Sequence, residues 1–102
     1  MFTGNEDQEI TLSQGSTMTA AFRAANPTAI KAEYFGKKII NLILEQEECV
    51  GIRVYNGLDA SGVQSNVLVG VDSDGNDIVN GALGDRSVKS PPFSGATNSL
   101  NS

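Results

Sequence analysis

The stretch from Gly36 to Val54 reads GKKIINLILEQEECVGIRV. Its first half has the spacing of a helix and its second half that of a strand. On a wheel of about 100° per residue, Ile39, Leu42 and Ile43 share one face, with Ile40 and Leu44 beside them. Lys37, Lys38, Asn41 and Glu45 gather opposite. The apolar arc is roughly 200° wide, against the roughly 100° stripe of an ordinary surface helix. This predicts a helix covered on two sides, one of them by a sheet and the other by the first helix or another copy of the chain.

The charges of this helix oppose its macrodipole. Lys37 and Lys38 stand near its start and Glu45, Glu47 and Glu48 near its end, an arrangement disfavoured by about 0.3–1 kcal/mol per charge. Starting the helix at Thr28 would turn Ile30 and Tyr34 into the polar arc. The pattern therefore predicts a short element over 28–35, a joint at Gly36 and a helix to about Gln46. The glutamates read as a solvated helix end.

From Cys49 to Tyr55 the pattern alternates. Val50, Ile52 and Val54 point one way, and Cys49, Gly51, Arg53 and Tyr55 the other. Val67, Val69 and Val71 alternate with Leu68 and Gly70 in the next run. Between them, NGLDASGVQ is rich in turn formers, so the two runs form an antiparallel hairpin with a long loop. The expectation is that both valine rows face the helix. Gly51 and Gly70 would then bare the far face beside Arg53 and Tyr55, as a place for another segment to dock.

The remaining chain attaches to this unit. Residues 1–11 are acidic and aperiodic, an arm. Ser13 or Ser16 is the expected cap of a first helix running to about Ala25, with a narrow stripe of Met18, Phe22 and Ala25. Asn26-Pro27 ends it, since the residue before proline avoids the helical region. VDSDGNDIV reads as a strand, a tight turn and a short third strand near Ile78. Residues 84–102 are a low-complexity tail of small polar residues, with Pro91-Pro92 expected to hold an extended backbone and Phe93 as its anchor.

With 102 residues and 39% hydrophobic composition concentrated in residues 18–83, the chain has a small core, of the size that gains from association. The net charge is −5, and the seven basic residues are scattered. This argues against nucleic-acid binding, which needs a basic stripe. The polar start MFTGNEDQEI shows no signal-peptide pattern, and the apolar runs fall far short of the roughly 20 residues of a membrane span, so a cytoplasmic protein is expected. The single cysteine, Cys49, reads as a packed thiol.

There is no histidine. That removes the commonest general base and excludes Ser/His/Asp and Cys/His nucleophile systems within one chain. The sharpest local motif is the acidic loop over residues 72–77, where Asp72, Asp74, Asn76 and Asp77 are candidate oxygen ligands for Ca²⁺. Its glycine and the residue at its twelfth position, Leu83, do not fit an EF-hand.

The runs YFGKKIINLILEQEECVGIRVYNGLD, VLVGVDSDGNDI and PPFSG resemble a group of small uncharacterised proteins of Bacteroidota bacteria, over roughly residues 26–95. CVGIRVY and LVGVDSDGND are the most specific segments. The resemblance carries no assigned activity, so it implies no catalytic residues. Members of that group often carry cysteines in the proline stretch; here Ser90 and Ser94 flank Pro91-Pro92-Phe93.

Together these readings predict an α+β fold: two helices packed on a small, mostly antiparallel β-sheet. Extended arms over 1–11 and 84–102 flank a single domain over 12–83. The function expected first is a non-enzymatic structural or interaction protein that self-associates into a homo-oligomer or filament, with Arg53, Tyr55 and Phe93 at the contacts. A small Ca²⁺-binding module is second and an enzyme of unknown class third.

Overall fold

The computed structural model describes all residues, Met1–Ser102. Seven elements follow in order: α1 (Leu12–Ala25), β1 (Ala32–Tyr34), α2 (Lys37–Leu44), β2 (Gly51–Tyr55), β3 (Val67–Val71), β4 (Leu83–Gly84) and β5 (Val88–Ser90). The α+β class is as expected. The strands make two small antiparallel sheets, one ordered β2-β3-β4 and one pairing β1 with β5. The chain folds as two units: residues 1–6 with 34–87, and residues 7–33 with 88–102. The first unit takes in residues 1–6 of the expected arm, and the second joins residues 7–33, with the first helix, to the C-terminal segment.

In the first unit, Gly36 is the N-cap residue of α2, as the phase break at that position requires. The helix is shorter than expected and stops at Leu44, where Glu45 bonds back to the carbonyl of Asn41. Within the first unit α2 is covered on one side, by the sheet. Ile43 is 0% exposed, while Leu42 and Leu44 on the flanks of the apolar arc are exposed. α2 is the one helix of the first unit.

The hairpin register overturns the expected assignment of faces. Ile52 lies opposite Gly70, Arg53 opposite Val69, Val54 opposite Leu68 and Tyr55 opposite Val67. Residues directly opposite share a face. The two valine rows therefore lie on different faces: Val67, Val69 and Val71 join Arg53 and Tyr55, while Ile52 and Val54 join Leu68 and Gly70. Alternation within each run was read correctly. The relative phase of the two runs was one residue out, which transfers every side chain of one strand to the other face.

Gly70 consequently lies beneath the helix and not on a bare far face. A Cβ there would stand 2.9 Å from Nε2 of Gln46, 3.0 Å from Sγ of Cys49 and 3.3 Å from Cγ2 of Ile43. At Gly84, beside Leu68 in the sheet, a Cβ would stand 2.8 Å from Cγ1 of Ile39. The two glycines let α2 seat Ile39 and Ile43 directly on the strands. Gln46 fastens the end of this helix, donating from Nε2 to the carbonyl of Ile43 (2.8 Å) and accepting from the amide of Ala82 (3.0 Å). The third strand is Leu83–Gly84 rather than a run at Ile78. Residues near Ile78 make an isolated bridge, Val71 to Asp77, and the amide of Ile78 donates to the carbonyl of Gly70 (2.8 Å), without forming a strand.

In the second unit, α1 is capped by Thr11 and not by a serine. The Thr11 hydroxyl accepts from the amide of Gln14 (3.1 Å), and Oε1 of Gln14 accepts from the amide of Thr11 (2.9 Å). Only Thr11 has glutamine three residues on, so only it closes this reciprocal box. The C-terminal segment lies on this helix. Oγ of Ser16 donates to Oγ of Ser99 (2.7 Å), and a guanidinium nitrogen of Arg23 donates to the carbonyl of Leu100 (2.7 Å).

Replacing Gly84 by alanine should destabilise the fold by about 1–3 kcal/mol through overpacking against Ile39. Urea denaturation measures the change, and G84A combined with Ile39→Ala should cost less than the sum of the two single substitutions.

Candidate interaction site

Arg53 and Tyr55 stand two residues apart on β2 and so project from the same face. Asp77 pairs with Val71 on the opposite side of β3, on that face too. The three side chains meet across the central strand. A guanidinium nitrogen of Arg53 lies 2.5 Å from Oδ1 of Asp77 and donates to the carbonyl of Gly75 at 3.2 Å. The Tyr55 hydroxyl donates to Oδ2 of the same carboxylate. The long stems and the ring thus shelter the β3 valines. Val69 and Val71 are 3% and 5% exposed, although α2 sits on the other face.

Electrostatics follow from this geometry. The Tyr55 hydrogen bond, with the Arg53 guanidinium, holds the Asp77 carboxyl below its ordinary value of 3.8. The Asp77 carboxylate in turn raises the Arg53 guanidinium above its ordinary range. With both oxygens of Asp77 bonded and its proton affinity lowered, the cluster works as a clamp rather than as a proton acceptor.

The acidic loop has the same internal economy. Oδ1 of Asp72 accepts from the amides of Asp74 (3.0 Å) and Asn76 (2.9 Å), and the amide of Gly75 donates to the carbonyl of Asp72 (3.0 Å). This is an Asx-type turn. Asp77, the last of the four candidate ligands, is turned to Arg53 and Tyr55. No three acidic or thiol side chains of the chain come together to hold a metal ion. Of Asp72, Asp74, Asn76 and Asp77, Asp72 is engaged through Oδ1 by two backbone amides and Asp77 through both oxygens by Arg53 and Tyr55.

Of the three expected contact residues, Arg53 and Tyr55 are brought together in the first unit, and Phe93 belongs to the second, where it is 68% exposed. Its amide donates to the carbonyl of Lys89 (3.0 Å), and its carbonyl accepts from Oγ of Ser90. The proline segment therefore turns back on itself rather than running extended. Cys49 packs half-buried beside Gly70, its thiol 3.1 Å from the carbonyl of Gly51.

The second unit contains no buried residue. It exposes Ile10, Leu12, Met18, Phe22, Phe93 and Leu100 to varying degrees, Met18 at 65%. A cleft of about 480 Å³ opens beside Thr19, Lys31, Ser94, Asn98 and Asn101. The side chain of Asn98 is bonded to the backbone of Ala96 and Leu100, and that of Asn101 to the carbonyl of Ala96 and the amide of Asn98.

The residues that sequence reasoning missed are Asp77 as the partner of Arg53, and Gln46 as the fastening of α2. The i, i+2 placement of Arg53 and Tyr55 was the available signal for the first. Nothing local marks the second. No family model, no curated protein and no solved structure matches this chain. No helix is long and apolar enough to cross a membrane.

Because Asp77 is held below its ordinary value in the folded state, its contribution to stability is complete above about pH 3.8 and is lost as pH falls through the folded value. Asp77→Asn should therefore flatten the acid limb of a stability–pH profile. Thermal melts of both proteins between pH 7 and pH 2 measure this, and the two curves should converge at the acid end.

Proposed function

We propose that this chain is a non-enzymatic structural and interaction protein that associates with further copies of itself through the surface built from its terminal segments. One observation carries the reading: the second unit exposes large apolar side chains and buries none. Folded proteins leave contiguous apolar patches mainly where something docks. A unit held by hydrogen bonds and two short strands gains most from burying such a patch against a partner.

Helix α1 supports a second copy as the partner. Met18 and Phe22 lie four residues apart and so project together. Ser16 and Arg23, which hold the C-terminal segment, lie on another side of the helix. In its 14 residues α1 carries one charge, Arg23, and that guanidinium is engaged by Leu100. Because Arg23 lies away from the side of Met18 and Phe22, two copies of this helix can meet along that side without opposing charges. The absence of histidine and the engaged state of Asp77 favour the non-enzymatic reading over a catalytic one.

Light scattering over a dilution series should show a mass that rises with concentration. Met18→Lys and Phe22→Lys, at exposed positions, should each weaken association at least tenfold and leave the melting temperature of the dilute protein within a few degrees. A mass of one chain at every concentration would remove the reading.

A further inference from the structure

The open edge of β2 is a second place where copies of this chain can join. β2 lies at the border of its sheet. The carbonyl of Gly70 accepts from Ile78, so Gly70 turns its backbone groups away from β2. Its cross-strand partner Ile52 therefore turns its own N–H and C=O outward, and alternation places Val54 likewise. No backbone group of the chain bonds these outward positions. The carbonyl of Val50 is closely approached by Gly4, where a Cβ would stand 2.7 Å away, while the amide of Val50 donates across the hairpin to the carbonyl of Val71 (2.8 Å). The N-terminal segment thus occupies the start of the edge and leaves Ile52 and Val54 open.

Natural edge strands are blunted by proline, by bulges or by an isolated charge. Here the charge is Arg53, between the two open positions, and it carries its own counter-charge in Asp77. The edge is also self-complementary. An antiparallel copy related by a two-fold at Arg53 sets Ile52 of one chain against Val54 of the other, twice. That closes four backbone hydrogen bonds. It lays the exposed Val54 of each chain beside Ile52 of the other, on the face where α2 sits. The two Arg53–Asp77 pairs come together as neutral pairs rather than as opposed cations.

We propose that β2 pairs edge to edge with β2 of a second copy, joining two three-stranded sheets into one of six strands. This rests on the self-association reading and deepens it. With a second, separate two-fold contact per chain, association does not stop at a pair; it continues into a string of copies unless the contacts happen to close a ring.

Val54→Pro tests this without touching the hairpin, since the N–H it removes faces away from β3 and edge strands tolerate proline. Val54→Lys is a second variant that leaves the backbone intact. In light scattering the full chain should grow beyond twice the chain mass with concentration. Each Val54 variant should stop at twice the chain mass, and Val54→Pro combined with Met18→Lys should remain at one. Amide exchange at Ile52 and Val54 should slow at least tenfold on association. If the Val54 variants grow like the parent chain and these amides exchange unchanged, the β2 contact is overturned while self-association stands. If the parent stays at one chain mass throughout, both fall.

Discussion

The placement of α2 directly on β3 is the contact on which the first unit depends. It requires that Gly70 and Gly84 present no side chain to the helix, so that Ile39 and Ile43 reach the sheet. That requirement fixes which face of β3 looks at the helix, and so which face does not. The valines of β3 are left on the opposite face, where no helix lies. They are kept from water by Arg53, Tyr55 and Asp77 meeting across the strand. A polar clamp thus substitutes for a second apolar layer, which is economical in a unit whose buried apolar side chains are Ile43, Leu68, Val69 and Val71.

The acidic residues of the first unit serve the fold before they serve any partner. Asp72 organises the turn after β3 through two backbone amides. Asp59 does the same in the loop between β2 and β3, accepting from Ser61 and Val63 at 2.9 Å each. Asp77 closes the clamp. A carboxylate oxygen that already accepts backbone hydrogen bonds offers fewer lone pairs to a cation. The loop that reads as a ligand set is therefore assembled as turn chemistry.

The second unit has a different physical character. A capped helix, one short strand pair and a few polar contacts between α1 and Ser99 and Leu100 hold it, with no buried side chain. Segments of this kind sit at the low end of the stability range within a protein. Their exposed apolar side chains favour a use in recognition, and neutral or engaged polar groups around them favour recognition of a like surface.

Much of this was legible in the residues. The joint at Gly36, the helix face of Ile39 and Ile43, the strand Val67–Val71, the antiparallel hairpin and the turn over Asp72–Asn76 each follow from local periodicity and turn chemistry. The first helix was placed to its C-terminus, and its cap was missed because Thr11 was read as part of an arm. The prominence of Arg53 and Tyr55 was legible as well, but not their partner. Asp77 is 24 residues from Arg53 in the chain, and the two meet only across β3.

What the sequence determined by itself is the two helices and the β2 and β3 strands, because period and capping are properties of neighbouring residues; the short strands β1, β4 and β5 carry too few residues to show a period. What only the tertiary structure decided is the pairing phase of β2 on β3, and with it the face under α2, the Arg53–Tyr55–Asp77 clamp and the outward row of Ile52 and Val54. The long loop between the strands leaves that phase open to either parity. The choice is made where Gly70 and Gly84 must lie beneath Ile43 and Ile39, a packing condition between residues that are distant in the chain.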